Sequence, residues 1–146
     1  MASLLIPDFY PLRADAGSTE PVILGQTDLS IPYPWIRWLE LLYRFRGYID
    51  VTSFLLRRPE VMVLLFEVYA RAGRYFGFPP QMVLEVYRDP EVPKPDEQLC
   101  VLIQTALPVP EAFARLNALD REWWLDVPWD LRRHVILDVE FLETPR

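Results

Sequence analysis

Five side chains, Glu85, Cys100, His134, Asp138 and Glu140, combine reactive groups with placement on regular alternating segments. In Arg133-His-Val-Ile-Leu-Asp-Val-Glu-Phe141 polar and aliphatic side chains alternate with the period of a strand, so His134, Ile136, Asp138 and Glu140 share one face. Val135, Leu137, Val139 and Phe141 share the other, which is the expected core face. The same parity sets Glu85 opposite Leu84 and Val86, so Glu85, Asp138 and Glu140 could converge on the second face of a sheet. Three carboxylates on rigid strands suit Mg²⁺ or Mn²⁺, which take several anionic oxygens, and would serve a metal-dependent hydrolase or nuclease. The competing expectation is a solvated sheet face whose acids pair with nearby arginines, with no metal or other cofactor. Cys100 and His134 stand near the starts of two strands expected to be parallel, close enough for a thiolate and imidazole couple. No orienting third group and no glycine-rich turn accompanies them, so the plainer expectation is a small apolar cysteine and a surface histidine whose pKa is lowered by Arg132 and Arg133.

A second constellation is aromatic. Trp123 and Trp124 are adjacent and Trp129 follows, among Asp120, Glu122, Asp126 and Asp130. Adjacent tryptophans point about 100° apart in a helical turn, so both are fully buried only where the turn is covered on two sides. One exposed ring with a charged rim is the anatomy of a protein interface, which makes Trp123, Trp124, Trp129, Asp120, Glu122 and Asp126 the candidate partner-binding residues. The competing expectation is that the N-terminal segment covers these rings. The block Arg115-Leu-Asn-Ala-Leu-Asp-Arg-Glu-Trp-Trp-Leu-Asp126, followed by Leu137-Asp-Val-Glu-Phe141, resembles one found in small uncharacterised bacterial proteins. There a leucine or aromatic residue and Asp, two polar residues and Trp-Trp-Leu-Asp precede an Asp-Val-Glu-Phe strand. The resemblance spans roughly Arg58 to Leu142 and implies a bacterial domain of unknown function, with no activity attached to it.

The elements that must position these residues follow from periodicity. Residues 1–33 hold Pro7, Pro11, Pro21 and Pro32 among short apolar clusters and are expected to form an extension that wraps a single domain over 34–146. Trp35, Trp38, Leu39, Leu42 and Phe45 recur at three and four, predicting a helix from Pro34 that ends before Gly47. A second helix is expected from near Thr52 or from Pro59 to Gly77, with Val61, Leu64, Leu65, Val68, Ala72, Tyr75 and Phe76 on one face and Glu67, Arg71 and Arg74 on the wet side. The period then changes to two in Met82–Arg88 and Leu99–Thr105, joined by a proline-rich and acidic loop. A helix from about Pro110 to Leu119 should turn Ala112, Phe113, Leu116 and Leu119 inward. A strand, helix, strand succession in one sheet makes the second and third strands parallel. The expected fold is therefore α+β: a small mixed sheet with a β-β-α-β core and helices packed on one face.

Composition narrows the function. With 146 residues, one domain is expected, and 51% hydrophobic residues supply its core. Fifteen Lys and Arg against 21 Asp and Glu give a net charge of -6, the opposite of a nucleic-acid footprint. One Cys and one His cannot complete a structural zinc site, and one Cys cannot form an internal disulfide, so a reduced, cytoplasmic protein is expected. Met1-Ala-Ser-Leu-Leu-Ile-Pro-Asp8 has no basic stretch and too short an apolar run for a signal peptide or membrane span. The five glycines form no phosphate-binding loop or nucleophile elbow. The reading that results is a non-catalytic interaction or regulatory module whose partner is another protein or a second copy. A third reading, a small-molecule binder, would line a pocket with Trp35, Trp38 and Tyr43.

Overall fold

A computed structural model describes residues 32–93 and 96–143. The expected N-terminal extension lies outside the described residues as far as residue 31.

The first helix, α1 (Pro32–Leu42), forms where the periodicity predicts, but the row it buries is Ile36 and Leu39, continued by Tyr43, whereas Trp35, Trp38 and Leu42 of the expected row are only half-buried at its flank. It stops earlier than its periodicity predicts. Tyr43 is buried and its hydroxyl donates to the Leu65 carbonyl at 2.6 Å, which pins the chain against a later helix. Arg44–Arg46 then forms a short strand, β1, instead of a last helical turn. Phe45 was expected on the helix face; tertiary pairing overrides that local preference. Gly47, at φ 80, supplies the left-handed residue that reverses the chain into α2 (Tyr48–Arg57).

Of the two starts expected for the next helix, near Thr52 or at Pro59, the structure has the one at Pro59, and a separate helix precedes it. Pro59 has no N–H to donate and restricts the residue before it, so the chain breaks at Arg58 and α3 (Pro59–Phe76) starts afresh with proline in its first turn. Val51, Phe54 and Leu55 of α2 and Val61, Met62, Leu64, Leu65, Val68 and Ala72 of α3 are buried together.

Strands β2 (Gln81–Tyr87), β3 (Gln98–Thr105) and β4 (Val135–Phe141) complete a sheet of order β1-β2-β3-β4. β1 is parallel to β2, β2 antiparallel to β3 and β3 parallel to β4, as a crossover through α4 (Val109–Glu122) demands. The mixed sheet, the β-β-α-β order and the helices on one face are all present. Leu84, Leu99, Val101, Ile103, Val135 and Val139 turn toward the helices and close the core. Arg115 donates to the Tyr75 carbonyl at 2.9 Å and ties α4 to the end of α3.

The core assignment needs two corrections. Phe113 of α4, expected to face inward, is 41% exposed, and Phe141, expected in the core row, is 38% exposed. They lie at the margin of the sheet and pack edge to face on each other at 5.8 Å. Among the described residues no helix is long and apolar enough to cross a membrane.

Candidate functional site

After α4 the chain turns through Trp123 into a 3₁₀ turn (Trp124–Asp126) and a one-turn helix, α5 (Trp129–Arg132). The turn is forced by what it buries: Trp124 and Val127 insert into the core, each 7% exposed. Asp126 N–H donates to the Trp123 carbonyl at 2.9 Å and Val127 N–H to that of Trp124 at 3.0 Å, which holds the turn tight. Pro128 fixes its own φ and opens α5.

This turn lies against one face of α3, and a groove of about 290 Å³ runs between them. From α3 come Glu60, Val63, Leu64 and Glu67, one face of a helix at i, i+3, i+4 and i+7. From the turn and α5 come Trp123, Asp126, Val127, Pro128 and Leu131. Its floor is apolar and its rim carries carboxylates from both walls. The Arg71 guanidinium sits over the Trp123 ring at 5.2 Å and donates to Glu67 at 3.1 Å, so the ring and one rim acid share a cation. Glu60 and Asp126 have no such ion pair among the described residues.

The tryptophans expected to form one surface have three different fates. Trp124 is core, against the expectation that it joins a partner surface. Trp123 is half-buried at the groove wall, its ring 5.7 Å from that of Trp124. Trp129 is 62% exposed, with the Arg132 guanidinium over its ring at 5.2 Å. Of the expected rim acids only Asp126 lines the groove. Glu122 accepts a hydrogen bond from the Tyr75 hydroxyl. Asp120 is half-buried, and its carboxyl is pushed up by that burial and then by Asp138. Glu60, Val63, Glu67, Val127 and Leu131 are groove residues that sequence reading missed. The exposed i, i+7 pair of acids on α3 was the available signal, but nothing in it points to Trp123, which is some sixty residues away in sequence.

On the sheet face away from the helices, Arg46, Glu85, Cys100 and Ile136 stand in one row across the strands. Arg46 gathers two of the expected carboxylates: its guanidinium is 3.3 Å from Glu85 and makes two contacts of 2.9 Å with Glu140. Gln104 donates to Glu140 at 2.9 Å. These bonds, that from Arg46 first, hold the Glu140 carboxyl down at about 2. The third carboxylate goes elsewhere, Asp138 accepting the Val139 N–H at 2.8 Å. His134 and Leu142 are the residues of this stretch that bond to β3, so parity turns the odd-numbered Val139 N–H to the other edge, where Asp138 caps it. Among the described residues no group of three or more His, Cys, Asp or Glu could hold a metal ion. The arrangement is a cation-bridged polar network, the arginine pairing that the second expectation described.

Cys100 is level with Ile136, two residues beyond His134. Burial pushes its thiol up, reinforced by Glu85 and Asp138, which is opposite to what a thiolate nucleophile needs. His134 is pushed down by burial and then by Arg58 and Arg133; Arg132, expected to act on it, turns instead to the Val127 carbonyl and the Trp129 ring. Trp35 and Trp38 pack edge-on against Phe66 and Tyr43 is interior, so none of the three lines the groove.

No family model matches the chain, and no curated protein and no solved structure matches it. The fold and the groove therefore carry the functional argument.

Proposed function

We propose that this protein is a non-catalytic interaction module that docks a short segment of another protein in the groove between α3 and the Trp123–Leu131 turn. One observation carries the reading: Val63, 54% exposed, and Trp123, Leu131 and Pro128 present an apolar concavity rimmed by acids, the core-and-rim anatomy of a protein interface. At about 290 Å³ the groove falls at the lower limit of the ~300–1,000 Å³ typical of small-molecule sites, a size that suits one or two side chains of a peptide. The tryptophan wall is the type of anchor that dominates interface energetics.

Selection of a displayed random-peptide library on the immobilised protein tests this directly. Val63→Arg fills the groove from an exposed helix position and leaves the core untouched. Peptides selected on the native chain should lose about tenfold or more of their affinity for Val63→Arg, at unchanged melting temperature. A library that yields no binder sensitive to Val63→Arg rejects the groove as the docking site.

A further inference from the structure

We infer that the groove recognises an arginine side chain, carried next to an apolar residue on the partner segment; this rests on the docking function just proposed and names what is docked.

The lining supplies three carboxylates, Glu60, Glu67 and Asp126, and no basic residue. Glu67 already holds Arg71, whereas Glu60 on the α3 wall, whose charge is also felt by His134, and Asp126 on the opposite wall make no salt bridge among the described residues. Between these two acids the floor is Leu64, Val127 and Leu131. A long side chain with an aliphatic stem and a charged head matches that order, its stem on the leucines and valine and its head between the carboxylates. Arginine fits better than lysine because its planar fork can donate to two carboxylates at once, where an ammonium is a point charge. The groove also shows what its own tryptophan accepts, since the Arg71 guanidinium already lies over the Trp123 ring. Glu60 and Asp126 stand exposed at the rim, so the arriving guanidinium exchanges their solvation for direct charge-assisted bonds without first having to uncover them. The net charge of -6 draws such a segment in.

The experiment uses the peptides selected on the native protein. Their sequences should share an arginine beside an apolar residue. A synthetic peptide with citrulline in place of that arginine keeps the shape and loses the charge; its affinity should fall about tenfold or more, with the lysine peptide between the two. Glu60→Gln and Asp126→Asn should each weaken the arginine peptide and not the citrulline one. Asp130→Asn, an acid outside the groove, should leave both unchanged. Selected peptides that Val63→Arg blocks but that carry no basic residue, or whose citrulline form binds equally well, overturn the arginine inference and leave the docking function standing. Absence of any groove-dependent peptide removes both.

Discussion

At the scale of single residues, the carboxylates of the open sheet face are held by a guanidinium. Arg46 reaches Glu85 and Glu140, and all three side chains are about one-third exposed or more, so solvent screens the network and its stabilisation is modest. Its pH dependence has a definite sign. The native Glu140 carboxyl lies below its ordinary value of 4.5, at about 2, so its contribution is complete above 4.5 and is lost as pH falls toward 2. Glu140→Gln should therefore lower stability at neutral pH and flatten the acid limb across that window. Urea midpoints measured at pH 7 and at intervals down to pH ~2 would show it. An unchanged acid slope in the variant would mean that another carboxylate governs the limb. Arg46 itself was invisible as a site residue in the sequence, because it falls at the end of a helical pattern and only pairing with β2 brings it to the acids.

At the scale of elements, the turn that follows α4 separates residues that the sequence presents as equivalent. Trp124 enters the core and Trp129 does not, although both stand in the same aromatic run. Trp124→Ala should cost about 3–5 kcal/mol, the range for deleting a buried aromatic side chain. Trp129→Ala should change stability by no more than about 0.5 kcal/mol, because its ring is largely in water. Chemical denaturation of the two variants side by side decides this. Equal losses would mean that α5 is an integral part of the core. A similar sorting acts on the helices: the 3.6 period of α3 was legible from Val61 to Ala72, whereas the end of α1 was not, since Tyr43 leaves the helix to reach Leu65.

At the scale of the whole molecule, charge and shape act together. The chain carries a net charge of -6, and the groove adds local acids to that field, so association with a basic segment should be steered electrostatically. The association rate of the arginine peptide should fall as salt rises from about 10 to about 150 mM, where the Debye length shrinks from roughly 30 to 8 Å, with dissociation less affected. Stopped-flow Trp fluorescence reads both rates. A rate independent of salt would leave the apolar floor as the sole source of recognition.

Local order was legible from residue patterns: the α+β class, the alternation that turns Leu84 and Val139 toward the helices, and the parallel pairing of β3 and β4 that a helical crossover requires. Packing between distant segments sorts the adjacent tryptophans into a groove wall and a core ring, sets a three-residue strand where a helix was expected to end, and brings Glu60 of α3 and Asp126 into the lining of one groove. The division has a physical reason. Side-chain periodicity reports which face of an element is buried, whereas a site is made where two elements distant in sequence pack, and no local pattern records which of their polar edges will meet.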